Sequence, residues 1–244
     1  MHVYLNKISG IDDAIVSMFI SKRSWTRDME EHIYRVCRLV LDPRGKLLSQ
    51  DEHPELQAEF DQFNDWLGKL VKWGWMHITM LRFIDMSITV EGLHRAGQDD
   101  WDSHAKRFNN RIIRSSTRLS TFSYEMSDYY KDKILPTDLA LSALGMTLPE
   151  KIEVDGVSYV KAVNGYIREG MEEDKDVKRG LYMLSIPSTF IFKIDLTEWG
   201  HVYKERNASG HANPEVKQCC EAIADAIEDF IPAFNRDLFL KIKN

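Results

Sequence analysis

The chain has 244 residues, of which 43% are hydrophobic and 29% are charged, and its formal net charge is −6. This composition is ordinary for a globular protein, and no apolar run approaches the ~20 residues that a membrane helix needs. A net negative charge disfavours nucleic acid as a partner, so a local basic cluster must hold any anionic ligand.

The N-terminus and the cysteines indicate a cellular setting. The first ten residues, MHVYLNKISG, lack the basic start and apolar middle of a signal peptide. The chain has three cysteines, two of them adjacent at Cys219 and Cys220, which do not form a disulfide framework. We therefore expect a reducing, cytoplasmic environment.

The first half of the chain contains both helical and strand patterns. Strict alternation in Ile84–Glu91 predicts a strand with one buried face, which Gly92 should break. Helical spacing predicts a long helix from Pro54, in its first turn, to Trp73, with Gly74 after it. Further predicted elements are a strand at His2–Leu5, a helix at Ile11–Phe19 and a helix from Gln98 to about Ser116.

The second half has clearer boundary signals. A break with a fresh helix start is predicted at Lys133–Asp138, a hairpin turning at Asp155-Gly156 within Lys151–Val160, and a strand at Phe190–Ile194. Asp195 should cap the next helix, with Glu198 as its capping partner. Asn213 and Pro214 should begin the last long helix, whose apolar stripe is Val216, Cys219, Cys220, Ile223, Ile227 and Phe230. No linker divides the chain, so residues 1–244 are predicted to form one α+β domain, with a central sheet flanked by helices.

Four arginines, spaced four, three and four apart, form the main basic cluster. On a helix, Arg107, Arg111, Arg114 and Arg118 would lie on one face, and the segment RFNNRIIRSSTRLS has no acidic residue to pair with them. Such a stripe is either a solvated surface or a binding site for phosphate, which guanidinium groups grip in a bidentate manner.

Motifs for common kinds of site are absent from the sequence. There is no HExxH and no pair of cysteines with zinc-ligand spacing, so no metal site is predicted. There is no GxSxG, GxGxxG or GxxxxGK motif either, which disfavours a serine nucleophile elbow, a Rossmann site and a P-loop. Cys219 and Cys220 lie on an apolar stripe and are interpreted as core residues. Histidines at predicted element ends are His77, His94, His104, His201 and His211.

The C-terminal region resembles the flavin-dependent thymidylate synthases. The stretch from Asp195 to Arg206, DLTEWGHVYKER, is similar to a family helix of the type N-x-R-x-W-x-H/N-F-x-x-x-R. The stretch from His211 to Lys217, HANPEVK, is similar to the motif H-A-Q-x-E-I-R that follows it.

The resemblance continues upstream in the expected order. HITMLRF from His77 is similar to H-x-S/T-x-x-E-H, and GLHRA from Gly92 is similar to G-I-S-R-A. His104 stands at the central position of the family's R-H-R signature, and SSTRLS from Ser115 resembles the signature's end. Ser103 and Ala105 replace the two signature arginines, and Arg114 stands where the family has Glu.

The resemblance implies a fold of the flavin-dependent thymidylate synthase type, in homotetramers whose active sites lie at subunit interfaces. It also implies FAD as cofactor, with methylenetetrahydrofolate and NADPH as co-substrates. The implied reaction is methylation of dUMP to dTMP, in which a flavin hydride replaces attack by a protein nucleophile.

Residue roles follow from the same resemblance. Arg206 would contact the pyrimidine edge and stabilise charge that develops on the ring. The nucleotide would be bound by Arg179, Arg118, Ser116 and Arg114, and FAD would be contacted by His77, Thr79, His104, His201, His211 and Arg107. Alternatively, Arg206 is a cation at a helix C-terminus.

The altered signature leaves two further hypotheses open. The protein could retain the flavin but modify another pyrimidine nucleotide. It could also be a nucleotide-binding homologue that has lost FAD and catalysis.

Overall fold

The structure, a computed structural model, describes residues 1–74, 76–104, 111–116, 126–174, 177, 180–181, 184–207 and 212–242, with the backbone alone at 100 and 102–104. The helices of this part are α1 Ile11–Ser21, α2 Arg27–Val40, α3 Gln57–Gly74, α4 Arg95–His104, α5 Thr137–Ala143, α6 Leu196–Asn207, α7 Pro214–Phe230 and α8 Arg236–Lys241. The strands are β1 His2–Ser9, β2 Asp85–His94, β3 Arg111–Arg114, β4 Lys151–Val154, β5 Val157–Ala162, β6 Gly165–Arg168 and β7 Pro187–Asp195. This mixture of helices and strands confirms the predicted α+β class.

Two compact units are formed, and each draws on several chain segments. The smaller unit comprises residue 1, residues 91–99 and residues 114–189; the larger unit comprises residues 2–90, 100–113 and 190–244. That residues 1–244 form one domain stays a prediction.

The larger of two sheets has the strand order β1-β2-β7-β3. At one end of β2 and β7, the Leu196 N–H donates to the Ile84 carbonyl at 2.9 Å; at the other end, the Arg95 N–H donates to the Ile186 carbonyl at 3.0 Å. The start of one strand therefore meets the end of the other, and the two run antiparallel.

Strand β2 has the alternating pattern that the sequence predicts. Met86, Ile88 and Val90 are fully buried, while the residues between them are partly exposed. The prediction that Gly92 breaks the strand is wrong, because β2 continues to His94. Gly92 has φ +90°, which glycine adopts without steric cost, so it is accommodated within the strand.

Helices α2 and α3 of the larger unit bury apolar faces of helical period. Helix α3 follows a 3₁₀ turn at Pro54–Leu56 and confirms the predicted helix up to Gly74. Helix α2 was not predicted, although the Thr26 hydroxyl accepts a hydrogen bond from the Met29 N–H and so caps it. Its buried residues are Ile33, Val36, Cys37 and Val40, at the spacing of one helical face.

The helix predicted from Gln98 to about Ser116 is confirmed for residues 98–104, which belong to helix α4. It is wrong at Arg111–Arg114, which is strand β3. Successive residues of a strand face opposite sides, so Arg111 and Arg114, three positions apart, do not share a face as they would on a helix. The predicted arginine stripe is therefore wrong at these two positions. Arg107 and Arg118 lie outside the described residues.

The second sheet belongs to the smaller unit and has the order β4-β5-β6. Strands β4 and β5 form the predicted hairpin, and Asp155 and Gly156 have φ of +52° and +76°, as a tight turn of this type requires. Strand β6 was not predicted; it pairs antiparallel with β5. Ile167 is the one buried residue of the three strands.

Candidate active site

Helix α6 begins with a buried carboxylate cap. The Asp195 Oδ1 accepts hydrogen bonds from the Thr197 N–H and the Glu198 N–H, each at 2.9 Å, and from the Thr197 hydroxyl at 2.5 Å. This confirms Asp195 as the predicted N-cap. The cap couples the end of strand β7 directly to the start of α6, and so fixes the direction in which the helix leaves the sheet.

The middle of α6 is held in an aromatic core. The Trp199 ring stacks on Trp101, with centroids 5.9 Å and planes 27° apart, and lies edge-on to Phe239 of α8 at 5.9 Å. At Gly200, an added Cβ would lie 2.9 Å from the Ile242 Cδ1 and 3.2 Å from its Cβ. Glycine therefore allows α6 to approach the end of α8 closely.

Arg206 lies in the last turn of α6, as the resemblance implied, and it is 5% exposed. Its charge reaches Cys220 of α7. Burial, followed by the charge of Cys219, raises the pKa of Cys220 well above its ordinary value, while Arg206 acts in the opposite direction. The guanidinium group is therefore largely desolvated, and its charge acts on the first half of α7.

Side chains on both sides of Arg206 bind one carboxylate. The Tyr203 hydroxyl donates to the Glu221 Oε1 at 2.9 Å, and the Asn207 amide donates to the same oxygen. The Glu221 Oε2 accepts from the Arg236 Nε at 2.9 Å. The sequence alone does not predict this cluster, because its contacts join three separate helices.

The start of α7 has the predicted capping residues. The Asn213 side chain accepts from the Glu215 N–H at 2.8 Å, and Pro214 is the first residue of the helix. Glu215 is 3% exposed. All six residues of the predicted apolar stripe are buried. His211 lies outside the described residues.

His201, His77 and Thr79 belong to the larger unit and are accessible to different extents. His201 is half-buried on α6, while His77 and Thr79 are exposed in the segment after α3. The His77 ring stacks on Trp73, with centroids 6.3 Å and planes 16° apart. The Lys22 Nζ lies 4.6 Å from the centroid of the same indole ring.

Arg114 and Ser116 belong to the smaller unit. The Arg114 guanidinium is paired with the Asp99 carboxylate and donates to the Gln98 carbonyl at 3.0 Å. Ser116 is exposed. The neighbouring Ser115 is anchored, since its N–H and its hydroxyl both donate to the Thr189 carbonyl, at 2.8 and 2.9 Å.

Five other predicted site residues lie wholly or partly outside the described part of the chain. Arg118, Arg179 and Arg107 lie outside the described residues, as His211 does. His104 ends α4, where only the backbone is described. The structure thus places Arg206 and His201 on one helix, and it places Arg114 and Ser116 near the end of β3.

His94 has a structural role. It is 1% exposed, its ring is edge-on to Tyr130 with centroids 4.9 Å apart, and the Tyr130 hydroxyl lies 3.4 Å from its Nε2. An added Cβ at Gly97 would lie 2.7 Å from the His94 Cε1, so glycine makes room for the ring.

An open groove of about 750 Å³ lies elsewhere in the larger unit. It runs along α1 and α2 and is lined by both acidic and basic side chains, among them Asp12, Glu31, Arg35 and Arg38. None of the predicted site residues lines it.

Within the described part of the chain, no group of three or more His, Cys, Asp or Glu residues is placed to hold a metal ion. No helix of that part is long and apolar enough to cross a membrane.

No family model and no curated protein matches the chain. Solved structures do match it over its whole length. One is thymidylate synthase X (ThyX) from Helicobacter pylori with FAD and dUMP, at 13% identity and a TM-score of 0.55, covering 98% of this chain and 99% of that one. Another, the flavin-dependent thymidylate synthase ThyX from the same organism complexed with FAD and dUMP, has 14% identity, a TM-score of 0.51 and full coverage of both chains. At this identity the likeness shows the fold, which is the mixed α/β fold of those ThyX structures.

Proposed function

We propose that the protein is a flavin-dependent enzyme that methylates dUMP to dTMP, with FAD as cofactor and with methylenetetrahydrofolate and NADPH as co-substrates. One observation supports the proposal: Arg206, to which the resemblance assigns the pyrimidine contact, lies buried in the last turn of a capped helix in a chain with a ThyX-like fold. The two similar Helicobacter pylori proteins were solved with FAD and dUMP, which supports the same ligand classes here.

Arg206 is assigned to the pyrimidine edge. A guanidinium group stays charged at any physiological pH, and burial strengthens its interaction with charge that develops on the ring. A guanidinium group that is held in place before the substrate binds needs little reorganisation during the reaction. In this proposal Arg118, Arg179 and Ser116 bind the nucleotide phosphate, as the resemblance implies.

The cysteines agree with a reaction that uses no thiolate nucleophile. Burial, assisted by the charge of Asp12, raises the pKa of Cys37 to about 12. The pKa values of Cys219 and Cys220 are also raised, in each case mainly by burial. All three thiols therefore stay protonated near neutral pH and are poor nucleophiles.

The described residues fit a flavin in one specific respect. His77 and Thr79 are exposed, and the His77 ring stacks on Trp73. An exposed aromatic ring is a group on which a planar ring system can stack. When bound, FAD supplies the hydride and relays the one-carbon unit. The task of the chain is to hold the nucleotide against the cofactor and to exclude water. His201, His104, His211 and Arg107 are assigned to the cofactor by the resemblance. Active sites at the interfaces of a homotetramer are part of the same proposal.

A second candidate is FAD-dependent modification of another pyrimidine nucleotide. The observation that favours it is the ion pair of Arg114 with Asp99, since Arg114 stands where the family has a glutamate. A paired arginine offers a nucleotide different hydrogen-bonding groups from those of a carboxylate.

The proposal is tested by anaerobic turnover with FAD, NADPH, methylenetetrahydrofolate and dUMP. dTMP should be formed, as measured by chromatography, and tritium should leave dUMP labelled at C5. Running dCMP and UMP in parallel tests the second candidate. FAD-loaded, folded protein that forms no dTMP while it modifies another nucleotide would exclude dUMP methylation.

A further inference from the structure

Arg236, the first residue of α8, binds three carboxylates along one face of α7. Its Nε lies 2.9 Å from the Glu221 Oε2, its Nη2 2.5 Å from the Asp225 Oδ1 and its Nη1 3.1 Å from the Glu228 Oε2. The acidic residues are four and three positions apart, so they share one face of the helix. Hydrogen bonds to Asp225 and then to Glu221 raise the pKa of Arg236 above its ordinary range.

Glu221 extends this cluster to the end of α6. Its Oε2 is held by Arg236, while its Oε1 accepts from the Tyr203 hydroxyl and from the Asn207 amide. Tyr203 precedes Arg206 by three residues, and Asn207 follows it directly. The last turn of α6 is therefore bound to α7 by hydrogen bonds on both sides of Arg206.

The same turn of α7 carries Cys220, on which the charge of Arg206 acts. The charge of Arg206 and the Glu221 cluster thus act at adjacent residues of one helix. A rotation of the last turn of α6 would break the Tyr203 and Asn207 bonds and would move the guanidinium group relative to α7.

The cluster is poorly suited to a purely stabilising role. The side chains of Arg236 and Glu221 are 35% and 45% exposed, and ion pairs this exposed contribute little to stability. The packing of α6 on α8 is already provided by Trp199, Tyr203 and Phe239, whose rings are in contact. What the cluster adds is a fixed orientation of the helix end.

We propose that Glu221, held by Arg236, is a positioning residue that orients Arg206 through Tyr203 and Asn207. The inference rests on the function proposed above for Arg206. Glu221 itself is not assigned any contact with the substrate.

The decisive variants are Glu221→Ala and Glu221→Gln. Alanine removes the acceptor of Tyr203 and Asn207, whereas the amide oxygen of glutamine can still accept from both. Asp229→Asn is the matched control, because it removes the surface ion pair with Lys46 at 2.6 Å from the same helix α7.

For Glu221→Ala we expect kcat for dTMP formation to fall about tenfold, because a misplaced catalytic group slows the reaction more than it weakens binding. KM for dUMP and the melting temperature should stay close to wild type, and Glu221→Gln should recover most of the rate. Equal kcat in Glu221→Ala and the wild type would overturn the proposal, as would equal losses in Glu221→Ala and Asp229→Asn.

Hydrogen–deuterium exchange provides a readout that does not depend on the reaction. Amides at residues 203–207 should exchange faster in Glu221→Ala than in the wild type or in Asp229→Asn. If the wild type forms no dTMP but this difference is seen, the proposed function fails and the positioning of the helix end stands. If the exchange rates are equal, the positioning role is wrong whatever the enzyme does.

Discussion

Arg206 combines burial with a permanent charge. A buried charge is costly to place, so a chain retains one where it is needed for a specific contact. Its position at the end of α6 also complements the helix dipole, and both roles are compatible with the structure. Lysine can take over the dipole role, because it keeps the charge. It cannot take over the contact with the pyrimidine, because it lacks the planar, five-donor group.

Arg206→Lys separates these roles. If Arg206 contacts the pyrimidine, dTMP formation should fall about 10²–10³-fold, the loss typical of removing one donor that stabilises transition-state charge. The measurement is single-turnover formation of dTMP, with circular dichroism to confirm folding. Arg27→Ala, which removes an exposed arginine paired with Glu30 and Glu31, is the control and should keep full activity. Activity of Arg206→Lys equal to that of the control would leave only the dipole role.

The three cysteines should be unreactive towards thiol reagents in the folded protein. All are buried, and burial raises their pKa values, so little thiolate is present at pH 8. We expect no reaction with a disulfide reagent under native conditions and reaction of all three thiols in denaturant. Rapid native modification of Cys219 or Cys220, accompanied by loss of turnover, would contradict the absence of a thiolate nucleophile.

At the scale of elements, the start of α6 depends on the hydrogen bonds that its N-cap residue, Asp195, accepts. Three donors converge on the Asp195 Oδ1, and Asp195 is 4% exposed. Asp195→Ala should therefore lower the free energy of unfolding by about 2 kcal/mol, at the upper end of the range for a lost cap. Asp195→Asn should lose less, because its amide oxygen can still accept. Urea denaturation measures both.

Thr26→Ala is the matched comparison for this cap. Thr26 caps α2 with one hydrogen bond at 3.2 Å in an exposed position. Its loss should cost about 1 kcal/mol or less. A smaller loss in Asp195→Ala than in Thr26→Ala would show that the buried cap is not what fixes the start of α6.

Local signals in the sequence predicted most elements with strong periodicity. The alternation of β2, the capping residues of α6 and α7, and the turn at Asp155-Gly156 depend on short-range chemistry that the sequence displays directly. The helix predicted through Arg111 was wrong because arginines at helical spacing also occur in strands. Pairing with β7 in the tertiary structure makes this segment a strand. The Glu221–Arg236 cluster could not be predicted, since it depends on how α6, α7 and α8 pack.

At the scale of the whole molecule, FAD binding separates the enzymatic hypotheses from the non-enzymatic one. Either flavin reaction requires purified protein that is yellow or that binds added FAD with a shift of its absorbance. Stabilisation by a bound ligand grows with its concentration relative to Kd, so saturating FAD at about 100 Kd should add ~2.7 kcal/mol to stability. Colourless protein whose melting temperature does not change when FAD is added would favour a nucleotide-binding protein that has lost the cofactor.

The sheet of β4, β5 and β6 has no role in the proposed reaction. Among the described elements, these strands make their extensive contacts with one another, and Ile167 is their one buried residue. The two ends of the segment 150–169 are adjacent. Lys151 and Glu169 form an ion pair at 2.7 Å, and the Tyr166 hydroxyl donates to the Pro149 carbonyl. Residues 150–169 can therefore be replaced by a short glycine–serine linker without a long gap to close.

This replacement should leave the larger unit folded. Burial of one isoleucine is worth about 2–3 kcal/mol, so the melting temperature should fall by no more than ~10 °C. The near-ultraviolet signal of the Trp101–Trp199 cluster should persist, since both residues belong to the larger unit. If the sheet takes no part in the site, dTMP formation should persist as well. Loss of nucleotide binding in a variant that keeps this signal would instead assign the sheet to the substrate site, because folding and binding would then have been separated in one experiment.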